Sequence, residues 1–532
     1  MPSQQRIRRE KGVSLLVGAC SLVSIIPLVG LVIDVGVVYS AASRLQAAVD
    51  GASLAAARAL NLGETTAAQA SSAQQNAINW FYANFPTGNW GTTNTQMNTS
   101  TVQVFDDPNN PHVRNVTVTA TTTVPTYFMN WFGIGSTTIS ATGNASRRDV
   151  VVMMVLDRSG SMNNGTVPSA CQSMVTAAKL FTGQFAEGRD RIGLVSFSDN
   201  VYIHSAPTTN FQTVLGYSND SGSGAGALDT IVCGGGTSTA EAISVAYNEL
   251  YQTNLPGALN VIMFETDGLP NSLVMNFWDS VNNVAGLKNT STCKDTKGKT
   301  MSSGGFKSAA VIPSWTSGQA LGAGSYFPDI PAGMVGEVYS DDPGGGNQFL
   351  LMLEYWSTTT AHDFGSTSYI NGTSCAFDGG EWTNNSPDLL WFPTTDVFGN
   401  QLNPASAFQP VTMNGNYVKG GSWSNYHNAV LNATDNAAYQ ARSNPSIPVY
   451  FFGIGLGGDP GAPPDYILMQ RMANDPNGDN YNNPPNYLPC AQEPTCVNYP
   501  NQPQGTFIFS ANSAALSQAF LSISSQVLRL SK

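Results

Sequence analysis

The sequence predicts an α/β protein: a doubly wound, mostly parallel sheet with a large insertion, preceded by a transmembrane helix and a small α+β stalk module. Three observations support this prediction. Residues 13–33 contain no charged side chain. Residues 100–147 include stretches in which apolar and polar side chains alternate, as in half-buried strands. From Asp149 onward, continuous apolar strands alternate with segments of helical period, which is typical of a parallel sheet covered by helices.

The composition is more typical of an exported chain than of a nucleic-acid-binding one. Charged residues make up 11% of the 532 residues, against about 25% in ordinary soluble domains. The formal net charge is −12, and Lys and Arg form no cluster beyond the first eleven positions. A surface that follows nucleic-acid phosphates is therefore not expected. A chain of this length should form two or more folded units.

The N-terminal apolar run predicts a membrane anchor. As a helix, residues 13–33 would span about 30 Å, the thickness of a bilayer's hydrocarbon core. Basic residues precede the run, namely Arg6, Arg8, Arg9 and Lys11. Because such residues stay on the cytoplasmic side, we expect residues 1–12 inside and the rest of the chain outside. Asp34, at the outer end of the run, is expected to be a solvated interface residue without chemistry.

Residues 34–148 are predicted to form a helical stalk followed by a β module. Helix-favouring residues continue from the anchor to about Leu62. A second helix is expected near residues 67–85, where apolar side chains recur at helical spacing. Strands follow in the alternating stretches STVQVF, NVTVTATTTV and TTISATGNA.

This N-terminal part resembles the membrane-anchored Tad (tight adherence, Flp-type) pilus proteins of the TadG kind. The resemblance rests on the basic tail, on IDVGVVYSAASRLQAAVDGASLAAARAL and on VPTYFMNWFGIGSTTISATGNAS. It implies a single-pass inner-membrane protein with its bulk in the periplasm or at the cell surface. A related interpretation is a pilin-like subunit cut after Gly12. However, such precursors usually carry Glu at the fifth position after the cut, and here that residue is Val17.

Five oxygen-bearing side chains are expected at one edge of the predicted sheet. The first strand, VVVMMVLD, ends in Asp157, and Ser159 and Ser161 follow at alternate positions. Alternate residues of an extended chain project to one side, so these three side chains should converge. Thr237 begins a helix after GGG, and Asp267 ends the strand of FETDG. Because ligands of such sheets bind at the carboxyl ends of the strands, we expect all five side chains to lie together.

These five side chains are the predicted metal ligands. Two carboxylates match the charge of a divalent cation, and neutral hydroxyls leave that cation able to accept an anionic oxygen from outside. Mg²⁺ is the expected ion, with Mn²⁺ and Ca²⁺ as alternatives.

The motifs DRSGSM, GGGTST and ETDG, in this order, resemble the metal-ion-dependent adhesion site (MIDAS) of von Willebrand factor A (vWA) domains. The resemblance implies that Asp157, Ser159 and Ser161 hold the ion. It also implies that Thr237 and Asp267 contact the ion directly or through water, and that a protein partner's Asp or Glu completes the coordination. The protein would then bind a partner, such as another pilus or envelope protein, in pilus assembly or adhesion.

The vWA-like region is interrupted. It covers residues 149–272 and 425–532, and residues 273–424 form an insertion rich in Gly, Ser, Asn and Trp. The insertion has weak periodicity, so we expect it on the outside of the fold and assign it no role.

Six of the seven cysteines lie outside the anchor, without a CxxC pair. Disulfides in an oxidising compartment are therefore expected rather than a zinc site. The expected pairs are Cys171–Cys233, Cys490–Cys496 and Cys293–Cys375.

The sequence does not favour an enzyme. The four histidines lie in no spaced catalytic or metal motif. GIGLGG fits GxGxxG, but DPGAPP follows it where a dinucleotide-binding site needs a helix. DPNGDN lacks the turn glycine and the terminal glutamate of a calcium loop. Two alternatives remain open: a pilin-like or scaffold subunit whose metal is structural, and a metal-dependent hydrolase.

Overall fold

The structure, a computed structural model, divides between Arg148 and Asp149 into two units, each with its own core. It describes residues 4–531 with the following exceptions: 64, 164–167, 199–200, 217–225, 277, 280–283, 286–333, 341–348, 356–390, 393, 397, 405–406, 420–422, 458–462, 479–501.

The first unit packs two helices against an antiparallel sheet. Its elements are α1 (Gln4–Ala59), α2 (Thr66–Asn84), β1 (Thr93–Gln96), β2 (Val102–Asp106), β3 (Val113–Pro125) and β4 (Ser136–Arg148). Strand β3 pairs with β1 and β2, and along its whole length with β4. Small and apolar side chains of α1, such as Leu45, Val49 and Ala52, are buried together with Phe81 of α2 and Val116 of β3. The predicted helices and β module are thus present, with β1 as an additional strand.

Helix α1 contains the whole predicted anchor and continues beyond it. By length and composition it could cross a membrane, and its apolar side chains from Leu16 to Val35 are largely exposed. Pro27 lies inside the helix, as membrane helices tolerate. Such a helix fits a single N-terminal membrane anchor.

Asp34 of α1 is not a solvated interface residue, so that expectation was wrong. It is only 2% exposed. Its carboxylate accepts hydrogen bonds from three consecutive backbone N–H groups, those of Tyr127, Phe128 and Met129, at 2.8, 2.9 and 2.7 Å. These amides lie in the turn between β3 and β4, more than ninety positions further along the chain. Burial follows because the carboxylate exchanges water for three amide donors.

The second unit is built on a six-stranded sheet, which confirms the α/β class. Its strands are β5 (Val150–Asp157), β6 (Arg191–Phe197), β7 (Val201–Thr208), β8 (Leu259–Thr266), β17 (Val449–Leu456) and β18 (Phe507–Ser510), in the order β18-β17-β8-β5-β6-β7. All neighbours are parallel except β6 and β7, which form an antiparallel edge. Every residue of β5 is buried, as its continuous apolar sequence predicts.

Helices cover both faces of this sheet. They are α3 (Ala170–Thr182), α4 (Phe211–Leu215), α5 (Thr239–Thr253), α6 (Trp423–Ser443), α7 (Tyr466–Ala473) and α8 (Ser513–Leu530). Alternate residues of β5 enter different cores: Val151 and Met153 pack in the core with α5, α6 and α7, whereas Val152 and Met154 pack in the core with α3 and α8. Alternation along one strand therefore produces two apolar layers.

Between β8 and α6 the described residues form only short or antiparallel strands. They are β9 (Ser272–Asn276), β10 (Trp278–Asp279), β11 (Val284–Ala285), β12 (Met334–Ser340), β13 (Phe349–Tyr355), β14 (Trp391–Phe392), β15 (Met413–Asn414) and β16 (Tyr417–Lys419). Strand β12 pairs with both β9 and β13.

Candidate metal centre

Asp157 is the last residue of β5 and is fully buried beside the end of β8. Hydrogen bonds reach both oxygens of its carboxylate. The backbone N–H of Ser159 donates to Oδ1 at 2.7 Å, and the hydroxyl of Thr266 donates to Oδ2. The strand end thus holds the carboxylate in one orientation.

The two serines connect Asp157 to Asp267. The Oγ atoms of Ser159 and Ser161 are 3.0 Å apart, and Ser161 donates to Asp267 Oδ1 at 2.6 Å. Ser161 is half-buried, while the other three side chains are buried. Four of the five predicted ligands therefore form one continuous hydrogen-bonded group that reaches solvent on the Ser161 side.

Thr237 is held near this group through backbone contacts of its loop. Gly160, between the two serines, donates its N–H to the carbonyl of Gly235 at 2.9 Å. The N–H of Thr237 donates to Asn271 Oδ1 at 2.7 Å, and the N–H of Asn271 returns a bond to the carbonyl of Thr237 at 3.1 Å. The structure thus joins the loops that carry Thr237, the serines and Asp267.

A disulfide lies beside the Thr237 loop. Cys171, in the first turn of α3, is bonded to Cys233, two positions before Gly235. This expected pair is confirmed. The other two expected pairs, Cys293–Cys375 and Cys490–Cys496, lie outside the described residues.

Burial raises the pKa of two neighbouring carboxyl groups at this site. Burial raises the pKa of Asp157, although hydrogen bonds from Ser159 and Thr266 oppose that shift. Burial, followed by the charges of Asp157 and Asp267, raises the pKa of neighbouring Glu265 well above its usual value. A divalent cation would offset this accumulation of buried carboxyl groups.

The donor set fits a hard divalent cation. Among the described residues, no group of three or more His, Cys, Asp or Glu side chains could hold a metal. The predicted set is of another kind, since it combines two carboxylates with three hydroxyls. All five donors are oxygen, which suits Mg²⁺, Mn²⁺ or Ca²⁺ and not a soft metal.

Sequence reasoning missed three residues that shape this site. Thr266 orients Asp157, Asn271 holds the backbone of Thr237, and Glu265 adds a fully buried carboxyl group beside Asp157 and Asp267. Thr266 and Glu265 lie in the FETDG segment, directly before the predicted ligand Asp267. Their position in that motif could therefore have pointed to them. Asn271 follows the motif and carries no such signal.

Buried carboxyl groups on α5 predict that stability depends on pH. Burial raises the pKa of Glu241 to about 8, and Ser238 donates to its Oε2 at 2.9 Å. In the unfolded chain this group ionises near pH 4, whereas in the folded chain it stays protonated up to about pH 8. Its contribution to the free energy of unfolding is therefore fully present below pH 4 and is lost as the pH rises to about 8. We expect the free energy of unfolding of the full chain in detergent to fall from pH 5 to pH 8. Glu241→Gln should reduce that fall by roughly 3 kcal/mol. Equal pH profiles for the two proteins, measured by chemical denaturation, would contradict this.

Three segments of the chain match models of known protein families. Residues 152–269 match the family model of the von Willebrand factor type A domain. This range contains all five predicted ligands. Residues 12–59 match the Flp pilus-assembly TadE/G-like model, and residues 40–145 match the Tad-like Flp pilus-assembly model. The second unit thus contains a vWA domain. The first unit matches models of Tad/Flp-type pilus-assembly proteins over residues 12–145, so each resemblance is supported for its own part of the chain.

Solved structures of two pilus proteins are among the structural matches of this chain. The PilB minor pilin from Streptococcus sanguinis is 10% identical, with coverage of 83% of this chain and 80% of that one and a TM-score of 0.32. The vWF domain of the type V pili tip protein Mfa5 from Porphyromonas gingivalis is 14% identical, with coverage of 73% and 98% and a TM-score of 0.33. A comparison with curated proteins gives no match.

Proposed function

We propose that this chain is a membrane-anchored, extracytoplasmic vWA protein that binds a protein partner through a divalent cation, in the assembly of a Tad/Flp-type pilus or in adhesion. The observation that supports this most directly is the continuous group of Asp157, Ser159, Ser161 and Asp267 at the carboxyl ends of β5 and β8. The site would supply two negative charges and neutral hydroxyls, so a bound Mg²⁺ would keep a positive charge available to an outside carboxylate.

Access to the site supports a macromolecular partner. Asp157 and Asp267 are buried, whereas Ser161 is half-buried. Gly268 lies next to the Ser161 hydroxyl and has no side chain that would cover it. A partner's Asp or Glu would approach on the Ser161 side. When bound, the cation would supply electrostatic attraction for that carboxylate, and the chain's own residues would hold the cation in place.

Capture of pilus and envelope proteins from solubilised membranes tests this function. The full chain should capture its partners in Mg²⁺ and lose them when the ion is chelated. Asp157→Ala and Ser161→Ala should show the same loss without chelation. Asp149→Asn is the matched control, because Asp149 lies just before the opposite end of β5 and pairs with Arg189 at 3.0 Å. Capture that survives both chelation and the two site variants would instead support a scaffold subunit with a structural metal.

The proposed topology has its own test. Because basic residues precede the apolar run, alkaline phosphatase fused after Lys532 should be active outside the cytoplasm, and the same enzyme fused after Gly12 should be inactive. The mature chain should retain residues 1–33 by mass spectrometry. A cytoplasmic C-terminus would refute the orientation, and a chain that begins after Gly12 would support the pilin-like alternative.

A further inference from the structure

The turn between β3 and β4 exposes a group of large apolar side chains. We call residues 126–135, TYFMNWFGIG, the aromatic loop. Trp131 is 81% exposed and Phe132 is 68% exposed, and Tyr127 and Ile134 are also exposed. Scattered exposed apolar residues are ordinary, but four large ones within eight positions form a patch that calls for a specific environment.

The aromatic loop is attached to the outer end of the anchor. Asp34 of α1 holds three of its backbone amides, those of residues 127–129. One turn earlier in α1, the Phe128 ring occupies the place where a side chain at position 30 would begin, since a Cβ on Gly30 would lie 2.4 Å from that ring. A glycine and a carboxylate on one face of α1 therefore set the loop at the level of residues 30–34.

That level coincides with the end of the apolar run. The α1 side chains Val29, Val32 and Ile33 are exposed at this height, and Tyr39 is exposed about one and a half turns further out. If α1 crosses a bilayer, these aliphatic side chains lie in lipid, and the region just outside them is the headgroup interface. Trp and Tyr are enriched at that interface because their rings are apolar while their polar atoms can remain hydrated.

We propose that the aromatic loop is a second membrane contact, which inserts Trp131 and Phe132 into the outer interface of the bilayer around α1. This inference rests on the proposed membrane anchoring of α1 and not on the metal site. The proposed occupant of the exposed patch is lipid, because the loop that carries the patch is held at residues 30–34 of α1, at the level of aliphatic side chains that lipid would cover. Asp34 acts as a positioning residue, since its carboxylate satisfies amides that would otherwise face an apolar environment.

Fluorescence quenching by brominated lipid tests the proposal. The full chain is reconstituted into phosphatidylcholine vesicles containing the 6,7-dibromo derivative, and flotation shows whether it is bound. We expect quenching of tryptophan emission that is largely lost in Trp131→Phe. Trp90→Phe is the matched control and should leave the quenching unchanged. The Trp90 ring stacks on Arg44, ten α1 residues beyond Asp34 and thus about 15 Å further from the membrane.

Asp34→Asn provides a second variant, because one amide oxygen cannot accept all three backbone bonds. The quenching attributable to Trp131 should decrease in that variant. Equal quenching of wild type and Trp131→Phe would overturn the proposal. Quenching of tryptophan emission by acrylamide in the water phase then shows whether Trp131 is in water or covered by protein. Either result contradicts a lipid contact. A chain that does not float with vesicles would overturn the anchoring itself, which distinguishes that failure from failure of the loop alone.

Discussion

Replacement of Asp157 by alanine should abolish the stabilisation of the protein by Mg²⁺. A ligand that binds only the folded state at 100 times its dissociation constant stabilises it by about 2.7 kcal/mol. For a domain of this size that corresponds to a rise in Tm of a few degrees. Asp157→Ala removes one of the two carboxylates and the acceptor of the Ser159 and Thr266 bonds. The rise in Tm with Mg²⁺ should therefore disappear in the variant, whereas Ser159→Ala and Ser161→Ala should reduce it.

Two controls separate loss of metal binding from general destabilisation. Asp149→Asn should lower Tm in the absence of Mg²⁺, because it weakens the ion pair with Arg189, and should keep the full response to the ion. In the wild type, the response should weaken as the pH falls, because protons compete with the cation for Asp157 and Asp267. If Asp157→Ala retains the wild-type rise in Tm, the cation binds elsewhere and the proposed site is wrong.

Removal of the Cys171–Cys233 disulfide should cost roughly 2–4 kcal/mol of unfolding free energy. The bond closes a loop of 62 positions, so its loss gives the unfolded chain considerably more freedom. The double variant Cys171→Ser/Cys233→Ser should also weaken Mg²⁺ binding, because Cys233 lies in the loop that carries Gly235 and Thr237. Chemical denaturation of the full chain in detergent, with and without Mg²⁺, measures both effects.

Cys20→Ala is the matched control for the disulfide experiment. It removes a thiol from the apolar part of α1 and should change neither the unfolding free energy of the second unit nor its response to Mg²⁺. A reductant should destabilise the wild-type protein at least as much as the double variant is destabilised, because it also reduces any other disulfide in the chain. Unchanged stability after loss of the bond would show that α3 and the Thr237 loop are held by packing alone.

Most elements of the fold could be predicted because their patterns are local. The uninterrupted apolar sequence of β5 predicts a strand buried on both faces, and all of its residues are buried. Helical spacing predicts α5 and α6, and polar–apolar alternation predicts β3 and β4. Strand β7 was missed because its buried positions include Ser205 and Pro207, so its sequence shows neither a continuous apolar run nor a regular polar–apolar alternation.

The candidate site was predictable only in part. Asp157, Ser159 and Ser161 lie within five positions, so alternation along the chain suffices to place them together. Thr237 and Asp267 could be added only through the expectation that parallel strands end at one edge. Asn271 could not be found in this way, because its role is a hydrogen bond to the backbone of Thr237, 34 positions away.

The sequence by itself determined the apolar N-terminal run, the parallel-sheet strands and the oxygen-bearing residue types of the candidate site, because each depends on residue type and short-range spacing. Only the tertiary structure decided which donors touch, how deeply they are buried and how α1 meets the turn between β3 and β4. Asp34 shows the difference most clearly. From its neighbours along the chain it is a carboxylate at the end of an apolar helix, which should be hydrated. In the folded unit it binds three amides from a segment more than ninety positions away, and such long-range contacts leave no pattern in the sequence around either partner.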